Sequence, residues 1–193
     1  KCQYFERYDL GKISVIDGKK IPYWYPDSDF PDGLITRQPI KSGAPKVSDL
    51  WTRRNLWALS RIYSAIESLH DSTRGALRFC LNACLYNVSR MVREGNTQYL
   101  PGYYYLPPLS KETHVPSSLN TKFNNFIELQ RYIQQYLESN ELILSTESAT
   151  DVHQIPKESV DYVFTDPPYT GRVQYAEANW AWEEWLCFNT KWW

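Results

Sequence analysis

The chain is short of glycine where a nucleotide-type cofactor would need it. Its eight glycines stand at positions 11, 18, 33, 43, 75, 95, 102 and 171, and none lies in a Gly-x-Gly pair. That excludes the tight glycine-rich turns through which a backbone approaches such a cofactor. Cysteine is sparse: the four at positions 2, 80, 84 and 187 have no CxxC spacing, and the three histidines (70, 114, 153) are scattered. No metal site is expected from that pattern. An excess of positive charge is also missing. The net charge of −1 excludes a polybasic protein, so any contact with DNA has to come from a local basic patch. There is no long apolar run and no leader-like segment, which reads as a cytoplasmic, reduced protein without membrane contact.

What the chain does have is enough length and apolar content for a core. It has 193 residues, 42% hydrophobic against 22% charged, the balance of a folded rather than a disordered protein. Aromatic residues are plentiful, 16% of the chain with 15 Tyr and 8 Trp. They suit an aromatic core and equally suit surfaces on which bases stack.

The hydropathy pattern predicts a mixed α/β fold in three parts. Residues 1–47 have strand and loop composition. Asp17-Gly18 between the apolar runs 13–16 and 21–25 reads as a hairpin turn, and the Pro-, Asp- and Gly-rich stretch 26–47 as a long loop. Residues 48–140 read as a helical insertion. Ser48-Asp49 would cap a helix carrying Leu56, Leu59, Ile62, Tyr63, Ile66 and Leu69 at helical spacing. A second helix is expected over 73–94, with Cys80 and Cys84 on one apolar face as small core residues. A third should open at Pro116. Between them lies a Tyr-dense stretch, 98–108, whose rings belong to a core wall or to a base-stacking surface. Residues 141–193 carry a short strand at 142–145 and a second at 160–164.

That second strand leads into the motif on which the chemistry rests. Val160-Asp161-Tyr162-Val163-Phe164 is rich in β-branched and aromatic residues and predicts a buried strand. It runs into Asp166-Pro167-Pro168-Tyr169, where two prolines stop any ladder and stiffen the tip. The Asp166 carboxylate and the Pro167 carbonyl are two acceptors able to hold one amino group, and Tyr169 offers a flat face for a base. As a plain turn, Asp166 would be an ordinary turn residue.

The motif resembles the Asp-Pro-Pro-Tyr signature of the DNA amino-methyltransferases, which methylate exocyclic amino groups of adenine or cytosine with S-adenosylmethionine on a flipped-out base. The flanking stretches 145–161 and 171–186, with Tyr175-Ala176-Glu177-Ala178-Asn179, resemble the same family, and so does the stretch 53–59. The resemblance implies part of a Rossmann-like methyltransferase sheet, with Asp166, Pro167, Pro168 and Tyr169 as catalytic residues. It implies Ser148, Asp151 and Asp166 at the cofactor, and Tyr169, Arg172, Arg53 and Arg54 toward DNA. It places the chain in the setting of restriction–modification enzymes. The missing glycine turn implies an internal segment of such an enzyme, with the isolated chain inactive. Two alternatives stand beside it: a non-catalytic nucleic-acid-binding or interaction module, and a methyltransferase acting on RNA or protein.

Overall fold

The fold is known from a computed structural model, which describes residues 2–136, 145, 148, 150–167 and 174–188. The chain divides into two compact units, one made of Lys1–Phe126 with Gln174–Trp193 and the other of Ile127–Val173.

The α/β expectation is overturned: among the described residues there is no strand and no sheet. Pairing of extended backbone is limited to the bridges Asp29↔Lys46 and Arg93↔Ser110. Where the N-terminal β-hairpins were expected, residues 2–17 are helical and 21–25 belong to no helix or strand. Helix α1 (Cys2–Tyr4) passes through a π-helical stretch (Phe5–Asp9) into α2 (Leu10–Asp17). Spacing explains the misreading. Tyr4 and Tyr8 lie on one helical face four residues apart, and their rings meet at 4.8 Å. Residues four apart share a face of a strand as well, so the pattern fits both periods. Gly18 is no hairpin turn. It follows the last turn of α2 in right-handed helical backbone and donates its N–H to the Ser14 carbonyl at 3.1 Å, closing that turn.

The helical insertion has its expected helices with shifted ends. After α3 (Arg37–Lys41) and a 3₁₀ turn (Val47–Leu50), α4 spans Arg53–Glu67. Its cap is Thr52 rather than Ser48, the Thr52 hydroxyl accepting from the Asn55 amide. Helix α5 (Asp71–Cys84) stops ten residues before the expected 94 and gives way to a 3₁₀ turn, Tyr86–Val88. Helix α6 (Val115–Tyr136) begins one residue before the expected proline, and α7 spans Tyr175–Leu186.

The core sits where α4, α5 and α7 bury their apolar stripes. Leu56, Leu59, Tyr63 and Ile66 of α4 face Leu81, Cys84 and Leu85, with Val47, Leu50 and Trp51 closing one side. Cys80 and Cys84 are buried and unpaired, and burial pushes the Cys84 thiol up to about 12, so these are inert core residues. Asn55 is the polar clamp of this body. Its side-chain amide donates to the Val88 and Thr113 carbonyls, both at 2.9 Å, satisfying acceptors on the 3₁₀ turn and on the stretch before α6.

Helix α7 plugs this core with aromatic rings. Trp185 is 2% exposed, and its ring meets Trp51 at 5.7 Å, Tyr63 at 5.8 Å and Trp24 at 6.0 Å, all edge-on. Trp182 stacks on Tyr86 at 4.3 Å. Tyr104 donates to the Ala178 carbonyl at 3.0 Å and accepts from the Ala181 amide at 3.1 Å.

Candidate functional site

Asp166 and Pro167 lie in the 127–173 unit, in an open segment. The stretch before them corrects the expected buried strand. Val160, Tyr162, Val163 and Phe164 are 51%, 79%, 72% and 82% exposed, and residues 160–167 belong to no helix or strand. No described strand lies alongside to take their backbone groups, so β-propensity alone builds no ladder here. Asp166 is exposed and has no ion-pair or hydrogen-bond partner among the described residues. Pro168, Tyr169 and Arg172 lie outside the described residues, as does most of the strand expected at 142–145.

The residues assigned to S-adenosylmethionine do not fit it. Ser148, Asp151 and Asp166 are all exposed. The Ser148 hydroxyl pairs with Thr150 at 2.8 Å in a local turn, and Asp151 lies 3.5 Å from His153 Nδ1. Among the described residues these three exposed side chains enclose no adenosine, and the sequence has no Gly-x-Gly turn to receive the methionine part.

The two arginines expected at DNA have internal partners. Arg53 donates to the Lys19 carbonyl at 2.7 Å, just beyond the end of α2. Arg54 forks onto Glu112 at 3.1 and 2.6 Å and reaches Asp17 at 3.5 Å. Its guanidinium is held charged chiefly by the Glu112 hydrogen bond, with burial opposing. A phosphate would have to displace Glu112 from it. Among the described residues, no helix is long and apolar enough to cross a membrane, and no group of three or more His, Cys, Asp or Glu could hold a metal ion.

A constellation the sequence reading missed ties α7 to the loop before α3. The Glu177 carboxylate is 5% exposed. It accepts from the amides of Leu34 (3.1 Å), Ile35 (2.7 Å) and Thr36 (3.1 Å), and from the Thr36 hydroxyl (3.1 Å). Successive amides turned to one point make an anion-binding concavity, and the chain fills it with its own side chain. Burial raises the carboxyl, but the Thr36, Ile35 and Leu34 amides outweigh it and hold Glu177 below its ordinary value. The available signal was a lone acid, Glu177, in the first turn of α7. Gly33 completes the cradle, since a Cβ there would overlap the Glu177 carboxylate and crowd the Thr36 hydroxyl. Gly33→Ala is therefore expected to lower the unfolding free energy by about 1–3 kcal/mol, the usual cost of overpacking. Urea unfolding measures it, and an unchanged midpoint would mean the cradle gives way without cost.

No family model matches the chain, and no curated protein or solved structure matches it either.

Proposed function

We propose that the chain carries the amino-group-holding segment of a DNA methyltransferase acting on the exocyclic amino group of adenine or cytosine. The observation that supports this reading is Asp166 itself: an exposed carboxylate without a partner among the described residues, followed in sequence by two prolines. Asp166 and the Pro167 carbonyl accept the two N–H bonds of one amino group and hold its nitrogen lone pair toward an electrophile. Holding the nucleophile in line is the larger part of such chemistry. The residues at hand do not fit S-adenosylmethionine, so the reading gives this chain the amino-group side of the reaction and nothing on the donor side.

The misfit favours a second reading as well, a nucleic-acid-binding module without catalysis. Single-turnover methyl transfer to DNA, by the protein at its natural length, separates the two. Asp166→Ala is expected to cost at least ten- to a hundredfold in rate, the equivalent of about 1.5–3 kcal/mol for a lost charged hydrogen bond. Tyr169→Phe keeps the flat face and the rate. Near-normal transfer by a folded Asp166→Ala protein would reduce the motif to a proline turn. Absence of transfer with retained DNA binding would leave the second reading.

A further inference from the structure

The Tyr-dense stretch 98–108 offered two readings, core wall or base-stacking surface, and the structure divides it between them. Tyr104 is 1% exposed and belongs to the core, whereas its neighbours Tyr103 and Tyr105 are 51% and 48% exposed. Tyr105 lines an open cavity of about 520 Å³ together with Arg93, Glu94, Gly95, Pro108 and Leu109, a size typical of small-ligand sites. A second opening of about 370 Å³ continues along residues 95–99 and shares Gly95 with the first.

The frame of this cavity is well held. The Glu94 amide donates to the Leu109 carbonyl at 3.1 Å and the Lys111 amide to Val92 at 2.8 Å. Met91, Val92 and Tyr104 beside it are 2%, 1% and 1% exposed. The polar and aromatic groups on the frame are uncommitted. Unlike Arg54, Arg93 has no ion-pair partner among the described residues, and the Tyr105 ring has no ring partner there.

We propose that this cavity binds one unpaired nucleotide of single-stranded DNA, with an amino-bearing base on the Tyr105 ring and its phosphate on Arg93. Stacking needs one open aromatic face and a backbone phosphate needs one free cation, and the cavity supplies both. Glu94 sets the choice of base. A carboxylate accepts from the exocyclic amino group of cytosine, adenine or guanine. Thymine offers it only an N–H flanked by two carbonyl oxygens that repel it. The neighbouring opening leaves room for the next nucleotide along the strand. The site lies on residues distinct from Asp166 and does not rest on the methyl-transfer reading.

Fluorescence anisotropy with short labelled oligodeoxycytidine and oligodeoxythymidine, without methyl donor, tests it on this chain. Oligodeoxycytidine should bind more tightly than oligodeoxythymidine. Tyr105→Ala should weaken binding about ten- to a hundredfold while Tyr105→Trp keeps it. Arg93→Gln should lower the slope of log affinity against log salt by about 0.7, the loss of one phosphate contact on a single strand. Tyr105 and Arg93 are surface residues, so these variants keep the fold, which circular dichroism verifies. Equal binding of the two oligonucleotides, binding indifferent to Tyr105→Ala, or no binding at all would overturn the assignment. Because no methyl transfer is measured, the Asp166 reading stands or falls separately.

Discussion

Replacing Glu177 with glutamine should lower the unfolding free energy by about 2–4 kcal/mol, the scale of a buried charged acceptor stripped of its hydrogen bonds. Glutamine has nearly the same shape, but one of its two polar ends is an amide that faces donors already aimed inward. The three amides of Leu34, Ile35 and Thr36 and the Thr36 hydroxyl then compete for one neutral oxygen. The change should also alter the pH dependence. Glu177 is held below its ordinary value in the folded state. Its contribution is therefore fully present above the unfolded value, about 4.3, and is lost as pH falls through the lower folded value. The acid side of the stability curve should be flatter for Glu177→Gln than for the natural chain. Urea unfolding at a series of acidic pH values measures both effects. Parallel curves with equal midpoints would mean that Glu177 is a spectator.

Trp185→Ala is expected to cost about 3–5 kcal/mol, the range for emptying a buried aromatic site. The side chain fills the space between α4, α5 and the Trp51 loop, and its edge-on contacts with Trp51, Tyr63 and Trp24 add to the area it buries. Trp185→Phe should cost much less. The indole N–H of Trp185 is buried and meets no acceptor among the described residues, so the smaller ring removes a polar group as well as volume. Chemical denaturation followed by near-UV circular dichroism reports both variants. An alanine variant as stable as the phenylalanine one would show that the site collapses around the missing ring.

The legible parts of the chain were those with one dominant period. The stripe Leu56, Leu59, Tyr63 and Ile66 fits only a helix, and α4 follows it closely; Pro116 marked the start of α6. Ends were harder to see. Thr52 caps α4 although Ser48-Asp49 looks like a cap, because residues 47–50 form a 3₁₀ turn of their own. The N-terminal helices were hidden by residues spaced four apart, a separation that keeps one face in strand and helix alike. The expected strand at 160–164 failed for a different reason. Strand formation is decided by a neighbour, and apolar composition says nothing of whether one is present. The resemblance pointed Arg53 and Arg54 toward DNA because sequence shows charge without showing partners, and Lys19 and Glu112 are far away along the chain. The Glu177 cradle showed in the sequence only as one acid early in α7, because that acid meets amides that carry no side-chain signature.

The same cradle sets an order of events. Glu177 closes onto Leu34 across 143 positions of sequence, and Trp185 closes onto Trp24 and Trp51 across comparably long spans. Contacts of such separation form late, since the intervening chain must first be brought together. During synthesis α4 and α5 are made well before α7, so Trp51, Tyr63 and Leu85 wait with their apolar faces open until Trp185 arrives. For that interval the nascent chain displays the surface that its mature form hides, and it is then that holdase chaperones and aggregation compete for it.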